Sequence, residues 1–372
     1  MSCRLCGSSL FETPVLTLQR VPASAQSLVD DMSNISDTAT IDLILAECSG
    51  CGLLQLTNQP VNYYKEVITS ASVSQKMLNF RHDQLQDWID SYNLKGKRII
   101  EIGCGNGYLL DILEELGTEA WGLEYSSTSV KLAQNRGRNV IQGYPNEVFS
   151  EIPSFDGFIC INFLEHSPHP GEFIQGIHKL IKNGAIGLVE VPNFEKDILF
   201  ERYYDLIIDH LSYFTQATLE RTLSLNGFDI LSTGKCWDDD DIYAIIQKRN
   251  PLNYEHWKTS NLILRQIDSV LSEPEFKRVA VWGASHQSLS LLSMTHSLPV
   301  CIIDSAPFKQ NRYEPCRGIK IISPEALKQF NIDTIIVMAA AYSDEVVNTL
   351  INQMDYTGNI FKLNAKELVN VQ

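Results

Sequence analysis

The chain has 372 residues, 44% of them hydrophobic and 20% charged, with a formal net charge of −15. That length exceeds one ordinary core and predicts two or three domains of globular composition. The acidic balance excludes a nucleic-acid partner, whose phosphates require clustered Lys and Arg, and no apolar run approaches the roughly 20 residues that span a bilayer, so no membrane partner is expected. The start, Met1-Ser-Cys-Arg-Leu-Cys6, lacks a secretory leader pattern. Nine cysteines without such a leader read as thiols or metal ligands rather than a disulfide framework. A cytoplasmic location is expected.

In chain order, short β-like runs at 41–46 and 53–57 precede a helical pattern over 73–92, whose apolar members Met77, Phe80, Leu85, Trp88 and Ile89 share one face. From Lys97 strands and helices alternate. Strands are predicted at 98–102, 119–125, 140–142, 155–163 and 185–191, and helices at 108–116, 127–136 and 171–181. This alternation is the signature of a doubly wound parallel sheet. After an irregular insert come a helix at 216–226 and two late strands at 228–237 and 242–248, then a connecting helix at 253–272. A second, smaller α/β alternation follows: strands at 278–283, 299–304, 334–339 and 359–363, and helices at 287–296 and 344–354. The expected organisation is a four-cysteine zinc-binding unit at 1–72, a central α/β domain at 73–250 and a smaller Rossmann-like α/β domain at 251–372.

Cys3-x2-Cys6 and Cys48-x2-Cys51 each place two sulfurs on a tight turn. Two such turns form a tetrahedral four-thiolate cage for Zn2+, with no open coordination position, so the metal is expected to be structural. The long linker between the pairs is not that of a compact DNA-binding finger.

Glu101-Ile-Gly103-Cys-Gly105-Asn-Gly107 follows a strand and opens a helix. Its glycines let the backbone approach a ligand at a helix N-terminus. Glu124 ends the next strand, where a carboxylate can accept both ribose hydroxyls of an adenosine cofactor. The spacing G-x-G-x-G, with an acid two residues before the first glycine, resembles motif I of class I methyltransferases and not the nicotinamide fingerprint G-x-G-x-x-G. The resemblance implies S-adenosylmethionine as cofactor, a central class I (Rossmann-like) methyltransferase sheet, and Glu101 near the cationic methionine end. The segment Asn162-Phe-Leu-Glu165-His166 resembles the class's fourth strand end, with Asn162 as a cofactor contact.

The four-cysteine array, this core and the C-terminal segment Asp304-Ser-Ala-Pro307-Phe-Lys309-Gln310 together resemble nucleotide-sugar C-methyltransferases, which make branched deoxysugars, over essentially the whole chain. That resemblance implies a nucleotide-linked 4-keto-deoxysugar as substrate, methylated on the carbon beside the ketone. It implies a base at His210 in Asp209-His210-Leu-Ser-Tyr213-Phe214, a second pocket histidine at His166, and a tyrosine at Tyr63 or Tyr64. Two departures stand out: Asp209 replaces the family's usual Glu, and Ile207 stands where a tyrosine can occur. The substituents of the sugar, or the hold on its keto oxygen, are therefore expected to differ. His210 and His166 can also be read as loop-ordering residues. Lys309 is a candidate contact to a nucleotide diphosphate, the alternative being that the C-terminal domain only covers the pocket. An O- or N-methyltransferase of a small metabolite and a non-catalytic binding protein of a polysaccharide pathway are the competing functions; intact Glu101, Gly103, Gly105 and Glu124 oppose the second.

Overall fold

The computed structural model describes residues 1–24, 39–65, 73–147, 149, 152–255, 261–365 and 367–372. The chain divides into two compact units, Met1–Pro251 and Leu252–Gln372.

The first unit begins with strands β1 (Leu16–Pro22), β2 (Thr40–Glu47) and β3 (Leu54–Leu56). It continues with α1 (Gln75–Ser91), β4 (Arg98–Ile102), α2 (Tyr108–Glu115), β5 (Glu119–Glu124), α3 (Ser127–Asn135), β6 (Asn139–Gln142) and β7 (Phe155–Ile161). Then come α4 (Pro170–Leu180), β8 (Ile181–Pro192), α5 (Phe194–Leu199), β9 (Ser212–Tyr213), α6 (Gln216–Leu225), β10 (Phe228–Cys236) and β11 (Asp241–Lys248).

Among the described residues the central sheet runs β10-β11-β8-β7-β4-β5-β6. Its core from β8 to β6 is parallel, and β11 and β10 close it as antiparallel strands. The order reverses at β4, which pairs with both β5 and β7; ligands of such sheets bind at that point, beyond the strands' carboxyl ends. Strand residues alternate between two apolar clusters. Ile99, Ile159 and Leu188 pack with α1, α2 and α3 residues, and Ile100, Phe158 and Val189 with α4 and α6 residues. Helices thus cover both faces, as the buried parallel strands require. This is the Rossmann-like α/β fold expected from the alternation.

The N-terminal strands form an antiparallel sheet, β1-β2-β3-β9. β9 comes from far along the chain and pairs Leu54 with Tyr213 and Gln55 with Ser212. Cys3, Cys48, Cys51 and Leu53 share a core with Phe214, Leu219 and Leu223. The four-cysteine segment therefore belongs to the same compact unit as the central sheet.

The second unit comprises α7 (Leu262–Ser272), β12 (Val279–Trp282), α8 (His286–Met294), β13 (Cys301–Ile303), β14 (Ile321–Ile322), β15 (Thr334–Val337), α9 (Ser343–Asn348), β16 (Asn359–Leu363) and β17 (Leu368–Asn370). Its sheet runs β14-β13-β12-β15-β16-β17, parallel except for β17. The connecting helix read over 253–272 is observed as α7; its stretch at 256–260 lies outside the described residues. Among the described residues, the strands β1, β9, β14 and β17 and the short helix α5 escaped the periodicity. The helix read to 354 ends instead in a wider π turn over Thr349–Gln353. Among the described residues no helix is long and apolar enough to cross a membrane.

Candidate active site

The glycine-rich loop joins β4 directly to α2. β4 ends at Ile102, and Gly103, Gly105 and Gly107 all take positive φ before α2 begins. Gly103 has no substitute: a Cβ there would lie 2.3 Å from the Phe163 ring. Glu124 ends β5 and accepts hydrogen bonds from Gly105 N (2.9 Å) and Ser126 N (2.8 Å). Backbone donors thus fix the carboxylate at the mouth of the loop, and an ionised carboxylate keeps lone pairs for further donors.

Glu101 is buried with Oε2 unpartnered. Burial, and then the charge of Glu124, push its carboxyl well above the usual range. Nearby, Arg81 of α1 forms a buried ion pair with Glu190 of β8 (2.6 Å). Asp241 is raised by burial and then by Glu190, with Asn162 hydrogen-bonded to it. Asn162 itself takes φ +49° and leaves Oδ1 buried without a partner. One arginine thus stands among three buried carboxyls, which suits a cationic ligand such as the sulfonium and ammonium of S-adenosylmethionine. Neither Arg81 nor Glu190 was singled out from sequence. The signal was present: Arg81 falls four residues from both Met77 and Leu85 on the apolar face, and Glu190 interrupts an apolar strand.

A second cluster lies beyond β7. His166 Nδ1 is 3.0 Å from the Asp209 carbonyl. A carbonyl only accepts, so Nδ1 carries the proton and neutral His166 presents a lone pair at Nε2. That Nε2 is 3.7 Å from Glu165 Oε1. The His166 and His210 rings meet edge-on, centroids 4.7 Å apart. Burial holds His166 down to about 4; burial, then the neighbouring His166, hold His210 down to about 3. Both imidazoles are neutral at neutral pH. The Asp209 carboxylate faces the Tyr63 hydroxyl, which is also 2.6 Å from Ser24 Oγ.

The N-terminal sheet clamps this cluster. Leu56 N donates to Leu211 O (3.0 Å), and Leu211 N donates to Glu165 O (2.9 Å). Arg4, between the first two cysteines, reaches Leu56 O, Asn58 O and Pro168 O. Tyr213 turns its hydroxyl back onto Ile207, accepting from its N–H (2.9 Å) and donating to its carbonyl (3.1 Å). Its hydroxyl therefore holds the turn that carries His210.

Tyr64 goes elsewhere. It packs edge-on against Tyr144 (6.1 Å), which contacts Phe163 beneath the cofactor loop. The structure thus brings Tyr63, Asp209, His166 and His210 together and sets Tyr64 on the cofactor side. Lys309 belongs to the second unit, where Asp304 accepts from its Nζ (2.9 Å) and from Ala284 N (2.8 Å). Asp304 repeats the Glu124 arrangement, a strand-end acid bonded to the preceding strand's loop, with Lys309 as its internal counter-charge.

Among the described residues, Cys3, Cys6, Cys48 and Cys51 place their sulfurs within 4.8 Å of one another. Cys3–Cys51 and Cys6–Cys48 are each separated by 3.5 Å. Zn–S bonds of about 2.3 Å give tetrahedral edges of about 3.8 Å, so the four thiols fit that ion.

Comparison with known proteins matches residues 77–233 to a family model described as a methyltransferase domain. The chain carries a methyltransferase domain. Residues 258–362 match a C-methyltransferase C-terminal domain. The methyltransferase domain resembles a ubiquinone biosynthesis O-methyltransferase from Paracidovorax citrulli, 32% identical over 109 residues, covering 26% of this chain and 45% of that protein. The enzyme of the same description from Paraburkholderia phymatum is 33% identical over 107 residues, 26% of this chain and 46% of its own. The chain thus spans under half the length of these relatives. An S-adenosylmethionine-dependent methyltransferase structure from Clostridium acetobutylicum aligns with TM-score 0.40 and 12% identity over 48% of this chain and 94% of that one. Magnesium protoporphyrin IX methyltransferase from Synechocystis aligns at 0.39 and 16% over 51% and 94%.

Proposed function

We propose that the protein is an S-adenosylmethionine-dependent C-methyltransferase acting on a nucleotide-linked 4-keto-deoxysugar at the carbon beside the ketone. The observation that carries this reading is the pair of neutral histidines, buried His166 and half-buried His210, held at the strand ends beside the glycine-rich loop. The C-methyltransferase C-terminal domain supports it. The bound cofactor supplies an electrophilic methyl group, and the chain must supply a nucleophile. A sugar carbon becomes one only when its proton is removed, and the adjacent ketone spreads the resulting charge as an enolate. His210 is the base. His166 sets its surroundings, and Asp209 ties the two together, with its carbonyl accepting from His166 and its carboxylate facing Tyr63. Tyr213 acts through the turn, and Tyr64 through the packing under the cofactor loop.

In this reading residues 73–250 hold the cofactor through Glu101, Gly103, Gly105, Gly107, Glu124 and Asn162. Residues 1–72 hold a structural Zn2+ through Cys3, Cys6, Cys48 and Cys51. Lys309 serves Asp304 and is left out of the substrate contacts. Glu124→Ala is expected to weaken S-adenosylmethionine binding by about 2 kcal/mol, because two charge-assisted hydrogen bonds to the ribose disappear. Equal affinity of variant and parent in calorimetry would remove Glu124 from the site.

The function is tested by offering dTDP-, GDP- and CDP-linked 4-keto-deoxysugars with S-adenosylmethionine. Mass spectrometry is expected to find one added methyl, and NMR to place it on the carbon next to the ketone. A new methyl on oxygen or nitrogen would move the protein to the competing reading, an O- or N-methyltransferase of a small metabolite.

A further inference from the structure

Enolate formation requires a proton donor facing the keto oxygen, and the candidates beside His210 can be counted. Neutral His166 already donates its Nδ1–H to the Asp209 carbonyl and offers only a lone pair at Nε2. The Tyr63 hydroxyl lies between Ser24 and the Asp209 carboxylate. Arg202 is committed to Asp197, Asp205 and Asp240. Two groups remain. Glu165 Oε2 and Ser212 Oγ are both buried without a hydrogen-bond partner, on residues 2% and 1% exposed. Both residues line, with His210, one cavity of about 440 Å³. Orphaned polar atoms in a native interior call for an explanation, and a ligand oxygen entering that cavity supplies one when the two side chains turn toward it.

We propose that the carboxylic acid of Glu165, with the hydroxyl of Ser212, donates the hydrogen bonds that hold the developing enolate oxygen opposite His210. This rests on the enolate reading above and adds to it a group of the substrate pocket. His210 takes the proton from the carbon, and the C–H electron pair moves into the carbon–carbon double bond while the carbonyl pair moves onto oxygen. The charge on oxygen is met by the Glu165 and Ser212 donors. As the carbon attacks the methyl group, the carbon–sulfur pair leaves with sulfur, the ketone reforms, and His210 later gives its proton to solvent.

A carboxyl donates only while protonated, and its surroundings keep Glu165 so. Burial pushes it up to about 8, with Asp241 and Glu190 adding their charge. The groups facing it are Cys160 on β7, Glu190 on β8 with Arg81 behind it, Asp241 on β11, and the two neutral histidines. Arg202, paired with three carboxylates, lines the outer cavity. The acid form is the active one, so activity is expected to fall as pH rises through about 8.

The test uses full-length enzyme, S-adenosylhomocysteine, a 4-keto-deoxysugar nucleotide and D2O, and follows exchange at the carbon beside the ketone. The parent is expected to lose exchange above that pH. Glu165→Gln keeps a neutral donor, so it should stay within about tenfold of the parent and lose the alkaline limb. Glu165→Ala should lose roughly 10²–10³-fold with unchanged cofactor affinity, and Ser212→Ala about tenfold. In substrate-free enzyme at neutral pH, infrared spectra should show a protonated carboxyl band that Glu165→Gln removes. Parental exchange in Glu165→Ala, an alkaline limb that survives in Glu165→Gln, or a missing carboxyl band would overturn the proposal and leave the enolate reading standing. A parent that exchanges no keto-sugar proton overturns both.

Discussion

Replacing Cys48 by serine is expected to abolish zinc retention and lower the melting temperature by on the order of 10 °C, since a structural metal contributes several kcal/mol directly to folding. Cys48 is buried, its Sγ accepts from Gly50 N and Cys51 N, and it lies 3.5 Å from Cys6 Sγ. Serine is shorter and a poor zinc ligand, so the cage loses a corner. The loss should reach the active site, because Arg4 ties the first cysteine turn to Pro168 O and Arg221 ties the second, through Cys51 O, to α6. A strong chelator should lower the parent's melting temperature by a similar amount and add little to that of Cys48→Ser. Such non-additivity separates metal loss from a packing defect. Elemental analysis of protein purified without added metal should find one zinc per chain. Unchanged metal content and melting temperature in Cys48→Ser would dispose of the structural-zinc assignment.

What the sequence discloses depends on how locally each feature is encoded. The cofactor loop is one continuous strand, turn and helix, with Glu124 on the next strand, so residue spacing reports it almost completely. The central alternation is equally local, because both faces of a parallel strand are buried and apolar runs mark it. The histidine cluster is different. It draws on positions 24, 63, 165–166 and 209–210, and is assembled by a two-residue strand, Ser212–Tyr213, too short to show any period. Its decisive bond comes from the Asp209 carbonyl, which residue identity does not encode. Asp209 and His210 are sequence neighbours, whose side chains seldom point the same way, so adjacency does not make them a dyad. The structure instead turns the Asp209 carboxylate to Tyr63 and its carbonyl to His166. Glu165 reads in sequence as part of a strand-end motif, and its protonated state follows from burial beside Asp241 and Glu190, strands away.

His210→Asn is expected to lose roughly 10²–10⁴-fold in both proton exchange and methylation while binding cofactor as the parent does. Asparagine keeps polarity and approximate size but cannot take a proton at neutral pH. The low affinity of His210 for a proton contradicts a role as base only if the pocket is considered without substrate. A bare imidazolium there is penalised by burial and then by His166, which holds the ring down to about 3. When the proton comes from the substrate, an enolate oxygen forms beside it, and the opposite charge stabilises the imidazolium in a medium of low dielectric. The neutral ring is thus ready at every physiological pH and becomes basic only as the reaction proceeds. The sign of the pH dependence follows. Protonation inactivates His210, and in the folded free enzyme it occurs near pH 3 rather than near the ordinary histidine value. The kcat/KM profile should therefore show no acid limb near pH 6.5. Stability supplies the acid-side loss instead. Unfolded chains protonate both histidines below about pH 6.5 while the folded protein resists, so stability should fall as pH drops from there toward 4. Thermal melts across that range, run beside initial rates, separate the two effects. A kinetic limb at pH 6.5 without loss of stability would show that His210 titrates as an exposed histidine, and the neutral-base mechanism would have to be abandoned.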